Sequence, residues 1–399
     1  MEVLEHSAYT DYEWATELNR INLILLGLWP ENNETKQKKL MSDIRVILIF
    51  NIIFWSCIIP TLHSLLKIYD DIMSAIDNLQ YTLSIGMALI KLIIVWHKKY
   101  EVLPLLNMIK NDWLRPKTSK ERNVMLKQAR IARIFTIFGF LLIQISAVII
   151  LVLPVFGISM RYRTNRTDPG RLLPLQTYYL YNVSSSPLYE ITFFLQSFSV
   201  MAGSTMYSGT DTFMSMLVFH VCGQLENFKT RVRNLDKFQN FAGALSASVK
   251  DHIRLIRAII IIDDTFNLML LGLLVYFGIL FVLYGFLFVS IVTQGRNLSL
   301  ARLFLFLLGF IITFGHMCLY CLLGEFLVIQ FDGIYEAVCQ YEWYKLKPKQ
   351  AKDLMNIMMQ TKRPLNLTAG KLFPMTIAML CNLLKTSGGY ISVLLARRN

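Results

Sequence analysis

The sequence predicts an all-α membrane protein with seven spanning helices, its N-terminus in the cytoplasm and its C-terminus outside. Three observations predict it. Apolar residues arrive in blocks of membrane-crossing length, basic residues concentrate in alternate loops, and the first twenty residues lack the positive start of a secretory signal. Over 399 residues the hydrophobic share is 54% and the charged share 17%, with a mean hydropathy of +0.46, which lies outside soluble globular usage.

The chain opens with a cytoplasmic segment, 1–43, that carries Glu2, Glu5, Asp11, Glu13 and Glu17 before its first basic residue, Arg20. Its apolar stretch Ile21–Trp29 ends at Pro30. That is too short to span and reads as an amphipathic segment lying in the interface. A crossing needs roughly 20 apolar residues, and seven stretches supply them: 44–66, 72–96, 133–156, 188–219, 265–292, 302–328 and 374–395. Together they make one domain, 44–395, followed by a short extracellular tail, 396–399. The fourth stretch would reach about 48 Å at 1.5 Å per residue, so it should protrude into the cytoplasm. Extensions of several helices on that side pack into one intracellular bundle.

Charge sets the sides. Loop 97–132 holds nine Lys and Arg residues between Lys98 and Arg130, and loops 220–258 and 329–373 hold seven each. The opposite side has Lys67, Arg161, Arg163, Arg166, Arg171, Arg296, Arg397 and Arg398, spread over three loops and the tail. This asymmetry puts loops 97–132, 220–258 and 329–373 inside. Sequons at Asn165, Asn182 and Asn297 fall on outside loops as candidate glycosylation sites, while two more, at Asn33 and Asn366, fall inside. A net charge of +13 is mostly this loop excess, which anionic lipid attracts, and needs no nucleic acid. None of the six cysteines lies in an outside loop, so no extracellular disulfide framework is expected. Cys318 and Cys321 have redox spacing but sit in an apolar helix, which favours plain packing.

Catalytic and nucleotide-binding signatures are missing, so no enzymatic activity, cofactor or metal is expected. His316, deep in a helix, is read as hydrogen-bonded to a neighbouring helix, and Asp263 and Asp264 as solvated at a helix start. Lys91 and Arg133 near cytoplasmic ends, and Arg302 near an outer end, are expected to snorkel. Lys385 differs, because it sits near the middle of the last span, where a lipid-facing position costs a few kcal/mol. Asn382, Lys385, Thr386, Gly389 and Ser392 recur at helical spacing on one polar stripe. Two readings stay open: a pore-lining helix in an oligomer, or a buried helix with Lys385 paired to a carboxylate. At the outer end the stripe meets Val393 and Leu394, apolar side chains that can close a pore by dewetting. Apolar and aromatic side chains on the outer helix halves are the candidates for a small-ligand pocket. They are Asn78, Tyr81 and Ile85, then Gln144, Val148 and Leu151, then Phe194, Phe198 and Met201, with Tyr284, Phe288, Phe306 and Phe310.

Several motifs in one order then carry a resemblance. Tyr320-Cys-Leu-Leu-Gly-Glu325, Ala337 to Tyr344, Pro364 to Met375, and Leu384-Lys385-Thr386-Ser387 with Tyr390 and Val393-Leu394 resemble the ending of insect odorant receptors. Gly27-Leu28-Trp29-Pro30 resembles the start of hymenopteran members. The resemblance implies a cation channel of four subunits around a pore lined by the last helix, with an anchor bundle from the cytoplasmic parts of helices four to seven. It implies a volatile, mostly apolar ligand, residence in the plasma membrane of olfactory neuron dendrites, and assembly with the shared co-receptor Orco. Loop 220–258 is shorter than the co-receptor's, which makes this chain the odorant-tuning partner. By the same resemblance Val393 is the outer hydrophobic gate. Two departures stand out: Gly388-Gly389 where members often carry Tyr-Ser, and Arg397 one turn beyond Val393, where the co-receptor is commonly apolar. A gustatory receptor channel is the nearest rival, but its TYxxxxxQF ending is absent. A G-protein-coupled receptor would need the opposite topology, and a transporter would show internal repeats.

Overall fold

The computed structural model describes residues 2–31, 35–158, 170–294, 300–362 and 365–398, and nearly all of them are helical. In chain order the helices are α1 (Glu2–Leu26), α2 (Lys36–Ile53), α3 (Ile59–Ile68), α4 (Ile72–Lys98), α5 (Leu103–Leu114) and α6 (Ser119–Val155). They continue with α7 (Leu188–Arg233), α8 (Phe241–Gln294), α9 (Leu300–Cys339), α10 (Pro348–Thr361) and α11 (Ile377–Arg398). A π-helical turn, Phe54–Ile58, joins α2 to α3, so together they form the first predicted span. Each of the other six predicted spans falls on one helix. Among the described residues, five stretches are long and apolar enough to cross a membrane on length and composition alone. The fourth and seventh predicted spans, on α7 and α11, are not among them. For the fourth, α7 buries Gln196, Ser199, Ser208, Thr210 and Asp211 inside the protein, so it is solvated by neighbouring helices rather than by lipid.

Helix α7 is the central post. It packs along α6 and is flanked by α4, α8 and α9, with α1 across its basic end. Phe213, Met214, Leu217, Val218, Val221, Cys222, Leu225 and Phe228 follow one another at almost full burial, as a helix surrounded on all sides requires. At the basic end, the last turns of α7 and α9 and the first turns of α8 gather around Val232, Leu255, Phe331 and Ile334, and α10 closes the group with Leu354 and Ile357.

Three local features hold that end together. Gly27 ends α1 at φ 76°, and Ser42 donates to its carbonyl at 2.7 Å. Lys99 there binds Asp43 at 2.9 Å, which brings α1, α2 and α4 to one corner, with Trp29 edge-on to Phe213 at 5.9 Å. Asp112 of α5 is buried between His220 of α7, at 3.1 Å, and Arg254 of α8. Residues 368–374 form a hairpin, Thr368 opposite Pro374 and Ala369 opposite Phe373. Gly370 and Lys371 both adopt positive φ there, as a type I′ turn demands.

Asp263 explains why a non-glycine residue tolerates that conformation. Its carboxylate accepts from the Thr368 amide at 2.7 Å and hydroxyl at 2.8 Å, and it pairs with Lys371, as does Asp264. The solvated reading of Asp263 is therefore corrected: it is 7% exposed and staples the hairpin to α8. Asp264, half exposed, keeps its contact with water.

Candidate functional site

A cavity of about 240 Å³ lies between α4, α6, α7, α8 and α9. Ile85, Ala88, Ile143, Ala147, Val200 and Phe277 make its walls apolar. Hydroxyls of Ser84, Tyr207, Tyr276 and Thr313 punctuate them, and Tyr276 already holds Ser84 at 2.9 Å. Gly309 gives room to the Tyr284 hydroxyl, which a Cβ would approach to 2.7 Å.

Leu175 caps the cavity from the segment between α6 and α7. Its amide donates to Gln196 at 3.0 Å, while Gln196 donates to Thr177 at 2.9 Å and Tyr179 at 3.0 Å. The first span supplies the other anchors. Pro60 has no N–H, so the Ser56 carbonyl four residues before it lacks an α-helical donor, and it accepts from Tyr179 at 2.7 Å. The Tyr178 amide donates to the Pro60 carbonyl at 3.0 Å. The cap is thus hydrogen-bonded in place on three helices, α3, α4 and α7, with Asn78 donating to the Gln176 carbonyl at 3.0 Å.

Beneath the cavity lies charge. Lys91 is fully buried, 2.6 Å from Asp211, 3.1 Å from the Tyr320 hydroxyl and 3.4 Å from the Tyr207 ring centroid. The expectation that Lys91 snorkels is corrected, because a carboxylate and two aromatic rings replace water around its ammonium. Sequence reasoning missed this pair, since nothing local ties position 91 to 211. The signal available was Asp211 itself, an acid inside a predicted span. His316, the cavity's far polar lining residue, stands 3.6 Å from the second Asp211 oxygen, beyond hydrogen-bonding length. The hydrogen bond expected from His316 to a neighbouring helix is therefore not made to Asp211, and that reading is corrected.

Helix α11 packs on α8 and α9 through Leu380, Leu383, Leu384 and Ser387. Gly278 of α8 receives Leu383, and Gly285, seven residues on, receives Ile391. On its other side Asn382, Lys385, Thr386, Gly389, Ser392 and Val393 are all exposed. Among the described residues, no carboxylate pairs with Lys385.

Residues 71–388 match the family model described as 7tm Odorant receptor, which covers well over half of the chain. The chain belongs to that insect odorant receptor family. A curated relative, Odorant receptor 10 of Aedes albopictus, is 25% identical over 221 residues, 52% of this chain and 56% of the relative. The match therefore spans about half the length of that relative. The fold is that of the olfactory receptor OR5 from Machilis hrabei. The structure of that receptor in complex with eugenol superposes with a TM-score of 0.81 at 14% identity, covering 98% of this chain and 99% of the other. A second structure of the same receptor gives 0.78 at 15% identity over 96% and 99%.

In this odorant receptor chain, the residues named from the sequence separate into distinct places. Tyr81, Ile85 and Tyr284 line the cavity. Leu151 and Met201 pack just behind its wall, beside Ala147 and Val200. Asn78 holds the cap, and Gln144 ties α6 to α7 through Thr205 at 3.0 Å and Ser204 at 2.9 Å. Phe306 and Phe310 buttress Tyr284, with ring centroids 5.5 and 5.9 Å away. Val148, Phe194, Phe198 and Phe288 face outward, 40–68% exposed. They were chosen by residue type at the right depth, and helix rotation decided otherwise. Arg133 leans on α1, its guanidinium 4.8 Å from the Trp14 ring centroid. Asn182 is exposed on the segment before α7. Asn165 and Asn297, and the side chains of Arg302, Leu394 and Arg397, lie outside the described residues.

Proposed function

We propose that this odorant receptor is a ligand-tuning subunit of a cation channel, assembled in a heterotetramer with the co-receptor Orco in the plasma membrane of olfactory neurons. Its basic end, with α5, α10 and the hairpin, lies in the cytoplasm, and the capped cavity faces outward. The observation that carries the channel reading is the uncovered polar face of α11. Its apolar side packs on α8 and α9, whereas Asn382, Lys385, Thr386 and Ser392 stand open within a predicted span. A water-lined axis shared with other subunits would give that stripe a solvent and put Val393 at its outer constriction.

The cavity supports the other half of the reading. An engineered cavity of about 150 Å³ takes benzene, so 240 Å³ suits a ring with a short side chain or a molecule of that bulk. The relative from Machilis hrabei was solved with eugenol, a small aromatic of this kind. Whole-cell recording from cells expressing the chain with and without the co-receptor, against a panel of small volatiles, tests the proposal. Ligand-evoked cation current only with both subunits is expected. Equal currents without the co-receptor, or currents that need G-protein signalling, would reject it.

A further inference from the structure

Asp211 is satisfied on one side only. Its Oδ1 receives Lys91 at 2.6 Å and the Lys91 ammonium also meets Tyr320, yet Oδ2 is buried with no hydrogen-bond partner. A buried carboxylate oxygen left so is costly, and such atoms in folded proteins normally face a donor. His316 Nε2 stands 3.6 Å from it. A hollow of about 10 Å³ is bordered by Asp211 and His316 together with Ser208, Thr212 and Ser215 of α7 and Gly139 and Ile143 of α6. That is about the room one oxygen atom needs. Ile143 and His316 line both this hollow and the 240 Å³ cavity, so the two adjoin at the cavity's polar end.

We infer that the cavity selects neutral ligands bearing one hydroxyl, alcohols or phenols, whose O–H donates to Asp211 Oδ2 beside His316 while the hydrocarbon body fills the apolar chamber. This rests on the cavity being the odorant site. The geometry suits it: an oxygen about 2.8 Å from each atom closes a triangle over the 3.6 Å base. Net charge points the same way. Lys91 already neutralises Asp211, so the pair presents a dipole with a free acceptor rather than a free charge. A ligand ammonium would meet Lys91 as well as Asp211, and a ligand carboxylate would meet the unpaired oxygen. Either ion would also lose its hydration in an apolar chamber with nothing left over to compensate it. Ethers and hydrocarbons of equal size keep the apolar contacts and leave Oδ2 unmet.

Ligand-induced stabilisation of the purified full-length chain in nanodiscs reads binding without depending on channel assembly. Two sets serve as probes: 2-phenylethanol, its methyl ether, ethylbenzene and ionised 2-phenylethylamine, and 1-octanol with its matched ether, alkane and amine. The alcohols are expected to bind roughly tenfold to a hundredfold more tightly than the ether and hydrocarbon, as one hydrogen bond to a charged acceptor allows, and the amines not at all. In His316→Phe, which keeps a ring against Tyr207, the ratio of alcohol to ether affinity should fall toward one. Equal wild-type affinities for alcohol, ether and hydrocarbon would overturn the inference while leaving the cavity as the ligand site, and this comparison stands even if the variant does not fold. Binding of none of the eight compounds would overturn the cavity reading itself.

Discussion

Lys91 and Asp211 show how one residue's meaning depends on a partner far along the chain. A lysine seven residues inside the basic end of α4 has the reach to snorkel, and periodicity alone cannot say that α7 offers a carboxylate 120 residues later. The pair lies beyond water, so removing one member should cost more than removing both. Lys91→Met is expected to destabilise the receptor by roughly 3–5 kcal/mol, read as a lower melting temperature in detergent. Lys91→Met with Asp211→Leu should recover most of that loss, and a double variant no better than the single would remove the pair from the account. Side chains named for the ligand site illustrate the complementary limit. Tyr81 and Phe194 are both aromatics at plausible depth, but only the first points inward. Depth is legible in a sequence, whereas rotation about a helix buried on several sides is not, because the apolar stripe that would report it runs all the way round.

At the scale of elements, spans were the easiest to read, since twenty apolar residues have few other uses. Their extensions and docking were harder. The hairpin is invisible to hydropathy because its stability comes from Asp263, Lys371 and the Gly370 amide on Asn267, at 2.8 Å. Just after it, Gly324 of α9 lets the chain pass so closely that a Cβ would sit 1.9 Å from the Met375 carbonyl. Gly324→Ala should therefore push the start of α11 away, at the upper end of the roughly 1–3 kcal/mol typical of overpacking, with reduced surface expression as the measurement. Asp112 makes a different kind of link, joining α5, α7 and α8. Burial alone would raise its carboxyl's pKa, but His220 and Arg254 outweigh that and hold it below the ordinary value. A depressed carboxylate contributes stability above its unfolded value, near about 3.9, and loses it as pH falls through the folded value. Detergent-purified receptor should melt progressively earlier on acidification below about pH 4, and Asp112→Asn should flatten that dependence. An unchanged slope would mean that other carboxylates govern it.

For the molecule as a whole, α11 is the element whose surroundings a single chain leaves unfinished. If it lines a conduction path with the co-receptor, Lys385→Glu should raise the preference for cations and change single-channel conductance. Cysteines placed at Asn382 and Ser392 should react with a water-soluble thiol reagent in the assembled channel. Protection of both by lipid would withdraw the pore assignment. The first span carries one further consequence. Its π turn places the carbonyls of Ser56 and Pro60 where the capping segment needs them. Deleting a single residue from Phe54–Ile58 would convert the turn to regular α-helix and swing those carbonyls by about 100°. The lid's attachment to the rest of the receptor is thus indexed by residue count, like a key cut to one depth, and natural length variation should be far rarer there than in the loops on either side.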